Sequence, residues 1–588
     1  MTVADAIARP FSPIGRWVFR RLQWVEHGYE RARASERAEG DSRLRIFFVL
    51  ALFGAGFVTL GLGATRAALF SPYGHGGAYS APAADARAEL TDRNGEVMAL
   101  DVPRYGLYVD PREMAFPGQV QAALVKALPG LNPDKLARQL GGDSQQYVIG
   151  NLTPKTRDAI HDLGLPGVSF AEETGRDYPL QNFAAHLIGY ARDGIGVAGA
   201  ERAFNGPLSA DSGQGDPVAL SIDLRVQGAL ENELNKAAAD MQPDDAVGMV
   251  VNVRTGEILA MASWPSYDPN KVTGFDRNTM TNRAAGQVYE PGSVMKILTL
   301  AMGIDAGVAT PDTTFDVGHP LELPGQTIHD FDHEPSVLTL RQVFTYSSNI
   351  GAARLGLLAG PDTMERYFRS FGLFNAAPSE LIESTRPFLP PRMTQNTVAS
   401  MAFGHSISVT PLQLATGFSA IFNGGIYRPL TLRPLAPGQQ PAAGHRVISE
   451  HTSATMMALM RDNVLEGTGT QADVVGLRVG GKTGTATKLV NGRYVEGKNA
   501  ANLASFAAIF PTDGPLNADR YLVLIMLDAP KKTAADHGVT TAAFTAAPTA
   551  GRVINRIAPF LGVRRVITAA DLAPKPASTV ATAGVNEQ

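Results

Sequence analysis

Three short motifs occur in a fixed order along this chain of 588 residues. Ser293 and Lys296 form an S-x-x-K pattern. The S-S-N pattern that follows contains Ser347 and Asn349, and Lys482 begins the run K-T-G-T. Together these residues would supply a nucleophile, a base and an anchor for a carboxylate. That set is sufficient for acyl transfer through a serine ester, without a histidine, a metal ion or a cofactor.

The first motif requires a lysine with an unusual pKa. Ser293 follows a Glu-Pro-Gly turn and precedes an apolar run, which predicts a helix that begins at or near the serine. Lys296 then lies on the same helical face and can reach the serine hydroxyl. A lysine acts as a base at neutral pH only if its pKa falls far below about 10.4, and burial and a second cation, Lys482, would both lower it. The helix N-terminus also offers a backbone N–H to a developing oxyanion.

The second and third motifs suit a peptide substrate. Ser347 and Asn349 lie in a predicted loop between helices, where the hydroxyl can relay a proton to the leaving group and the amide can hold a peptide bond. Lys482 and Thr483 follow a glycine-containing segment with strand-like alternation. The edge of such a strand can pair with a peptide, while these two side chains bind its terminal carboxylate.

With these motifs the chain resembles the class B penicillin-binding proteins, the monofunctional peptidoglycan transpeptidases. The segment E-P-G-S at 290–293 resembles the division-specific branch of this class, the FtsI type. The resemblance implies an α+β fold, the penicillin-binding transpeptidase fold, in which an antiparallel sheet flanked by helices stands on an elongated pedestal domain behind one N-terminal transmembrane helix. Further matching segments are D-R-N-G at 92–95, R-D-Y-P at 176–179, G-A-E at 199–201, L-S-I-D-L-R-V-Q at 220–227 and T-P-L-Q at 410–413.

The resemblance also assigns roles to residues. It makes Ser293 the acylated serine, Lys296 its base, and the N–H groups of Ser293 and Thr485 the oxyanion hole. The implied activity is that of a serine D,D-transpeptidase which cross-links peptidoglycan stem peptides at the division septum and is acylated by β-lactams. Val294 and the segment 404–406 depart from the family pattern but remove no catalytic atom. The site implied in full is Ser293, Lys296, Ser347, Asn349 and Lys482 for catalysis, and Thr483, Gly484 and Thr485 for substrate binding.

The N-terminal region predicts a membrane anchor. Residues 46–65 carry no charge and are long enough to span a bilayer. The preceding segment is rich in arginine, whereas no Lys or Arg occurs between Arg66 and Arg87. This asymmetry predicts a single-pass protein with a cytoplasmic N-terminus and the rest of the chain on the other side of the membrane. The resemblance implies that the membrane is the bacterial inner membrane and that the catalytic domain is periplasmic. Small residues recur at every fourth position of the span, which suits helix packing but also arises by chance in a chain rich in Ala and Gly.

The resemblance implies partners as well. Through the transmembrane helix and pedestal, the expected neighbour is a lipid II polymerase of the shape, elongation, division and sporulation family, together with other divisome proteins. The net charge of −4 indicates no nucleic-acid surface, and the absence of cysteine excludes disulfides. The predicted organisation is a cytoplasmic segment 1–45, a transmembrane helix 46–65, a linker 66–86, a pedestal 87–215, a transpeptidase domain 216–565 and a disordered tail 566–588.

Other functions remain open at this stage. The same motifs would serve an elongation-specific transpeptidase, a D,D-carboxypeptidase or β-lactamase that uses water, or a non-catalytic divisome scaffold. A class A β-lactamase would carry Glu-x-x-x-Asn between the second and third motifs, and no glutamate there has Asn four residues later. The stretch H-D-F-D-H at 329–333 contains possible metal ligands, but its turn-forming flanks and its distance in sequence from the motifs favour a polar loop.

Overall fold

The computed structural model of the protein describes residues 87–209, 216–331, 335–436, 438–490, 493–494, 501–531 and 539–568, and isolated positions between 27 and 60. The chain divides into two units, 1–83 and 84–588. Phe53, Phe57 and Leu60 of the predicted anchor are helical and exposed. Most of the anchor, the linker and most of the C-terminal tail lie outside the described residues. Within the described part of the chain, no helix is long and apolar enough to cross a membrane.

The segment from 87 to 219 is built around one long strand, β2. This strand pairs antiparallel with β1, β3 and β4, and β1 pairs parallel with β7. Short helices cover the sheet, and a small core forms where Leu107 and Val109 meet Leu124 and Leu136. The strands are β1 Leu90–Thr91, β2 Val97–Val109, β3 Gln146–Leu152, β4 Val168–Asp177, β5 Ala191–Arg192, β6 Ile195–Gly196 and β7 Val218–Ala219; the helices are α1 Pro117–Ala127, α2 Pro133–Leu140, α3 Pro154–His161, α4 Ala185–Ile188, α5 Gly199–Ala203 and α6 Asn205–Leu208.

A buried ionic network joins the matching segments of this region. Glu201 accepts a hydrogen bond from Arg87 Nε at 2.6 Å through Oε2 and one from Arg176 Nε at 2.7 Å through Oε1. Arg176 also contacts Asp101 Oδ1 at 3.1 Å. Because the Glu201 side chain is fully buried, loss of either arginine would leave its charge undercompensated. The R-D-Y-P and G-A-E segments therefore have a structural role here.

The rest of the chain forms a five-stranded antiparallel sheet in the order β16-β19-β20-β8-β9 with helices on both faces. The helices are α7 Leu224–Met241, α8 Arg277–Met280, α9 Arg283–Gly286, α10 Lys296–Asp305, α11 Leu340–Thr345, α12 Asn349–Ala359, α13 Pro361–Ser370, α14 Gln395–Met401, α15 Pro411–Phe422, α16 Glu450–Glu466 and α17 Ala546–Ile557. The strands are β8 Asp245–Asn252, β9 Ile258–Trp264, β10 Thr314–Asp316, β11 Leu321–Leu323, β12 Gln326–Ile328, β13 Val337–Thr339, β14 Ile426–Tyr427, β15 His445–Arg446, β16 Gly480–Thr487, β17 Leu489–Val490, β18 Arg493–Tyr494, β19 Asn502–Phe510 and β20 Tyr521–Asp528. Single turns of 3-10 helix occur at Pro111–Glu113, Pro269–Lys271, Gly292–Met295 and Thr470–Ala472. The mixed α+β fold implied by the resemblance is confirmed.

The central sheet is buried on both faces, which explains its continuous apolar strands. Successive side chains of a strand point to opposite faces. In β20, Val523 and Ile525 pack into the core beneath α7 and α17, whereas Leu522 and Leu524 pack into the larger core with α10 and α15. Strand β16 is the exception, because it carries K-T-G-T at the edge of the sheet and pairs with β19 on one side only among the described residues.

Candidate active site

The serine motif is positioned by a tight turn rather than by a long helix. Ser293 lies in the 3-10 turn Gly292–Met295, and α10 begins at Lys296, three residues later than the serine. Gly292 has a φ of 58°, and its N–H donates to Gly404 O at 3.1 Å. A Cβ on Gly404 would lie 2.1 Å from Gly292 O, so this close approach requires glycine at 404. The contact fixes the turn that presents the Ser293 hydroxyl.

Lys296 is fully buried and contacts three of the side chains expected at the site. Its Nζ donates to Ser293 Oγ at 2.9 Å and to Asn349 Oδ1 at 2.8 Å. It also contacts the backbone oxygen of Ser347 and, at 3.2 Å, its Oγ. Burial lowers the pKa of Lys296 to about 7, and the nearby Asp330 carboxylate opposes that shift. In a large fraction of molecules near pH 7, Lys296 is therefore unprotonated and can act as a base.

Ser347 bridges the two lysines of the site. Its Oγ accepts from Lys482 Nζ at 2.9 Å while also contacting Lys296. The residue has a φ of 67°, a left-handed conformation that costs a serine about 1 kcal/mol or more. The chain adopts this conformation between the end of α11 and the start of α12, where it turns the hydroxyl toward both ammonium groups.

Lys482 is also fully buried. Its Nζ contacts Ser347 Oγ, Thr483 O at 3.1 Å, and the face of Phe344 at 5.7 Å from the ring centre. Burial, and then the charge of Lys296, hold the pKa of Lys482 well below its ordinary value. Burial is the main cause of the lowered pKa of both lysines, and the repulsion between them adds to it at Lys482.

Strand β16 approaches the serine turn closely because of Gly484. A Cβ at this position would lie 2.5 Å from Ser505 Oγ and 3.0 Å from Pro291 O. Thr483 Oγ1 is hydrogen-bonded to Thr468 Oγ1 at 2.6 Å, and Thr485 Oγ1 accepts from Ala542 N at 3.2 Å. The K-T-G-T segment is thereby held beside Ser293 with its outer edge directed toward the site.

Asp330 is a residue of the site that sequence reasoning missed. Its carboxylate accepts hydrogen bonds from Ser348 Oγ at 2.6 Å, Asn349 N at 2.5 Å and Ile350 N at 3.0 Å. It thus anchors the S-S-N loop at the start of α12. Residues 329–331 lie outside helices and strands, in agreement with the predicted polar loop. Despite the distance in sequence, folding brings Asp330 against the second motif. Among the described residues no group of three or more potential metal ligands is found.

A cavity of about 210 Å³ opens beside the serine. His405 lines it, and burial, with a further contribution from Lys296, lowers the pKa of this histidine to about 4. The imidazole is therefore neutral at pH 7 and adds no positive charge to the site. The departure noted at 404–406 thus faces the catalytic cavity, whose other lining residues include Ser293, Gln326, His329, Phe331, Asn349, Phe403, Thr485 and Thr487.

Comparisons with known proteins agree with this geometry. The chain matches the penicillin binding protein transpeptidase domain over residues 246–548 and the penicillin-binding protein dimerisation domain over residues 82–214. It is 50% identical to the probable peptidoglycan D,D-transpeptidase FtsI of Caulobacter vibrioides over 98% of both chains. It is 31% identical to peptidoglycan D,D-transpeptidase FtsI of Escherichia coli K12, over 76% of this chain and 79% of that protein. Stage V sporulation protein D of Bacillus subtilis is 30% identical over 81% of this chain and 79% of its own length. The chain belongs to the class B penicillin-binding proteins, and within them to the FtsI type.

Proposed function

We propose that this protein is a serine D,D-transpeptidase that cross-links peptidoglycan stem peptides at the division septum and is acylated by β-lactams. The observation that carries the proposal is the 2.9 Å contact between Ser293 Oγ and the buried Lys296 Nζ, with Lys482 linked to Lys296 through Ser347 Oγ. The names of the relatives, peptidoglycan D,D-transpeptidase FtsI, support the same activity.

In the acylation step, neutral Lys296 accepts the proton of Ser293 as Oγ attacks the carbonyl carbon of the penultimate D-alanine. The N–H groups of Ser293 and Thr485 stabilise the oxyanion of the tetrahedral intermediate. When the intermediate collapses, the C–N bond breaks, and the proton passes from Lys296 through Ser347 Oγ to the departing amine. The products are an ester on Ser293 and free D-alanine.

In the second step, an amine of a neighbouring stem peptide attacks the ester carbonyl. A C–N bond forms, the C–O bond to Ser293 breaks, and the proton lost by the amine returns through Lys296 to Ser293 Oγ. Holding this amine in place raises its effective concentration, by up to ~10⁵ M for well-oriented groups. Water is not held in place in this way and gains no effective concentration, so hydrolysis of the ester is slow and β-lactam adducts persist. A D,D-carboxypeptidase or a β-lactamase would instead hydrolyse the ester rapidly, and a scaffold would form neither adduct nor product.

Residues 46–65 act as a single retained anchor in the bacterial inner membrane, and the catalytic domain is periplasmic. The length of the uncharged run and the arginine asymmetry support this topology. A lipid II polymerase and other divisome proteins are its partners in the membrane and at the pedestal. Alkaline phosphatase should be active when fused after Ala84 and inactive when fused before Arg43. A mature protein that begins after residue 65 would refute the retained anchor.

The activity is tested on the full-length protein in detergent. A fluorescent penicillin should give a stable adduct that is absent from Ser293→Ala. The same preparation, supplied with nascent glycan and a lipid II polymerase, should form cross-linked product. Rapid release of hydrolysed penicillin without cross-links would identify a hydrolase, and an absence of both adduct and product would identify a scaffold.

A further inference from the structure

A cavity of about 570 Å³ lies where the turn between β1 and β2 meets the turn between β8 and β9. We propose that this cavity binds the phosphate group of a small phosphate ester, and that Arg93 and Arg254 hold the phosphate. The two arginines come from the two regions that match different domains, 82–214 and 246–548. The cavity shares no lining residue with the one beside Ser293, so the inference is independent of the acyl-transfer chemistry.

Arg93 carries guanidinium donors that are only loosely engaged. It contacts Ser221 O and Glu257 Oε1 at 3.5 Å each, beyond the usual range of about 2.7–3.2 Å. Glu257 does not depend on this contact, because Oε1 accepts from Leu435 N at 3.0 Å and Oε2 accepts from Thr255 Oγ1 at 2.9 Å. Arg93 can therefore turn its donors to an anion without leaving a buried carboxylate unbonded.

Arg254 supplies the second guanidinium. Its Nε donates to Asp519 Oδ1 at 2.8 Å, and Asn252 Nδ2 donates to the same oxygen at 2.8 Å. Among the described residues, no hydrogen bond reaches the two terminal nitrogens of Arg254. Burial raises the pKa of Asp519, but the hydrogen bonds from Arg254 and Asn252, followed by the charges of Arg254 and Arg93, hold it below its usual value. Both arginines therefore lie close to this carboxylate, on the same part of the wall.

The carboxylates of the wall have little capacity left for a ligand. Asp223 is occupied by Arg225, whose Nε donates to Oδ1 at 2.9 Å and whose Nη2 donates to Oδ2 at 2.5 Å. Both oxygens of Glu257 are bonded as well. Oδ2 of Asp519 is the one carboxylate oxygen of the described wall without a hydrogen bond. The wall thus offers more unused donors than unused acceptors, which favours an anion over a cation.

A phosphate ester matches the donors and the rest of the wall. A phosphate monoester presents three terminal oxygens and a charge of about −1.5 to −2 at pH 7, and guanidinium groups bind it through paired N–H donors. The organic part of the ester would lie against Phe560, whose ring centre is 5.5 Å from the Arg225 guanidinium, and against Leu435. The volume is within the range of small-molecule sites, about 300–1,000 Å³.

Glycerol 3-phosphate and glycerol are the matched probes, since they differ by the phosphate alone. Binding of each is measured by calorimetry on the full-length protein in detergent. The wild type should bind glycerol 3-phosphate and not glycerol, and its affinity should fall as salt is added. The same probe should raise the melting temperature once its concentration exceeds the Kd.

A free phosphate ester and a lipid head group share this chemistry, and a competition experiment separates them. Mixed micelles that contain phosphatidic acid should displace glycerol 3-phosphate if the natural ligand is a lipid. If these micelles leave the affinity for glycerol 3-phosphate unchanged, the ligand is a free ester.

Four variants test the roles of the residues. Arg93→Gln and Arg254→Gln should each raise the Kd for glycerol 3-phosphate about tenfold, the effect of one lost charge-assisted pair. Asp519→Asn should bind the probe about two- to fivefold more tightly, because it removes a repelling charge and frees Arg254. Arg369→Gln is the matched control: Arg369 is paired with Glu365 at 2.7 Å outside the cavity, and its loss should leave the Kd unchanged. The melting temperature without probe reports the folding of each variant.

Several results would overturn the site. Wild-type protein that shows no saturable binding of glycerol 3-phosphate, or equal affinity for glycerol, would do so. Equal affinities in the wild type and in both cavity variants would place the probe elsewhere on the protein. A loss in Arg369→Gln as large as that in Arg93→Gln would assign binding to net charge, and weaker binding by Asp519→Asn would contradict an anion site. Penicillin labelling of Ser293 is unaffected by any of these outcomes, so the proposed function stands or falls separately.

Discussion

Replacing Lys296 by methionine should abolish acylation of Ser293 and yet stabilise the fold below pH 7. Burial lowers the pKa of this lysine from 10.5 to about 7. Each unit corresponds to about 1.4 kcal/mol, so holding the charged form in the site costs on the order of 5 kcal/mol. The side chain is 0% exposed, so solvent does not screen this cost. Methionine is unbranched like lysine but one heavy atom shorter, and it carries no charge.

The sign of the pH dependence follows from proton binding. The unfolded lysine keeps its proton up to about pH 10.4, whereas the folded one releases it near 7. The unfolded state therefore binds more protons between these values, and wild-type stability rises with pH across that window. Methionine avoids the cost of burying a charge. It also removes the donor that Lys296 Nζ supplies to Ser293 Oγ and Asn349 Oδ1, and so leaves these two acceptors without that hydrogen bond. We expect a net gain of about 1–3 kcal/mol at pH 6, which shrinks and reverses toward pH 10.

The matching kinetic experiment follows the neutral form of the base. At pH 7 a lysine with an ordinary pKa is neutral in roughly 4 of 10⁴ molecules, compared with about half for a pKa of about 7, a gain on the order of 10³. The rate of penicillin acylation should therefore rise about tenfold per pH unit below 7 and level off above it. Thermal unfolding of both proteins across pH 6–10 provides the second readout. A flat rate profile between pH 5.5 and 8.5, or acylation by the methionine variant, would refute the assignment of the base.

Three further substitutions test other parts of the site. Ser293→Ala should abolish penicillin labelling and change the melting temperature little, since the hydroxyl is partly exposed; labelling at the wild-type rate would exclude it as the nucleophile. Asp330→Asn should lower the maximal acylation rate roughly tenfold by loosening the S-S-N loop. It should also shift the midpoint of the pH profile downward, because the Asp330 carboxylate raises the pKa of Lys296 in the wild type; an upward shift would contradict this. Lys482→Ala should slow acylation by β-lactams that carry the carboxylate far more than acylation by their methyl esters, and equal losses would separate Lys482 from carboxylate binding.

The sequence predicted those parts of the site that depend on short-range spacing. Ser293 and Lys296 are three residues apart, so a single turn brings them together whatever the rest of the chain does. Asp330 contacts the S-S-N loop across 19 residues, and Gly404 meets Gly292 from a distant loop. These contacts depend on how helices and loops pack, and no local pattern encodes them. The requirement for glycine at position 404 becomes apparent only in the folded chain, where the backbone of Gly292 lies against it.

The electrostatics of the lysine pair also required the structure. From sequence alone, Lys482 is a cation that activates Lys296. In the folded protein both ammonium groups are fully buried and share the hydroxyl of Ser347, so the full charge of both is costly. The order in which the two lysines lose protons depends on their burial and on the nearby Asp330 carboxylate. Neither the burial nor the position of Asp330 can be predicted from the spacing of the motifs.

We expect this arrangement to couple recognition of the substrate to activation of the base. The charge of Lys296 helps to keep the pKa of Lys482 low. A bound carboxylate at Lys482 and Thr483 offsets the cost of a buried ammonium there and favours protonation of Lys482. A charged Lys482 in turn disfavours the charge on Lys296 across the shared Ser347 hydroxyl. We therefore expect a bound carboxylate to shift the proton toward Lys482 and to leave Lys296 neutral when the peptide bond reaches Ser293.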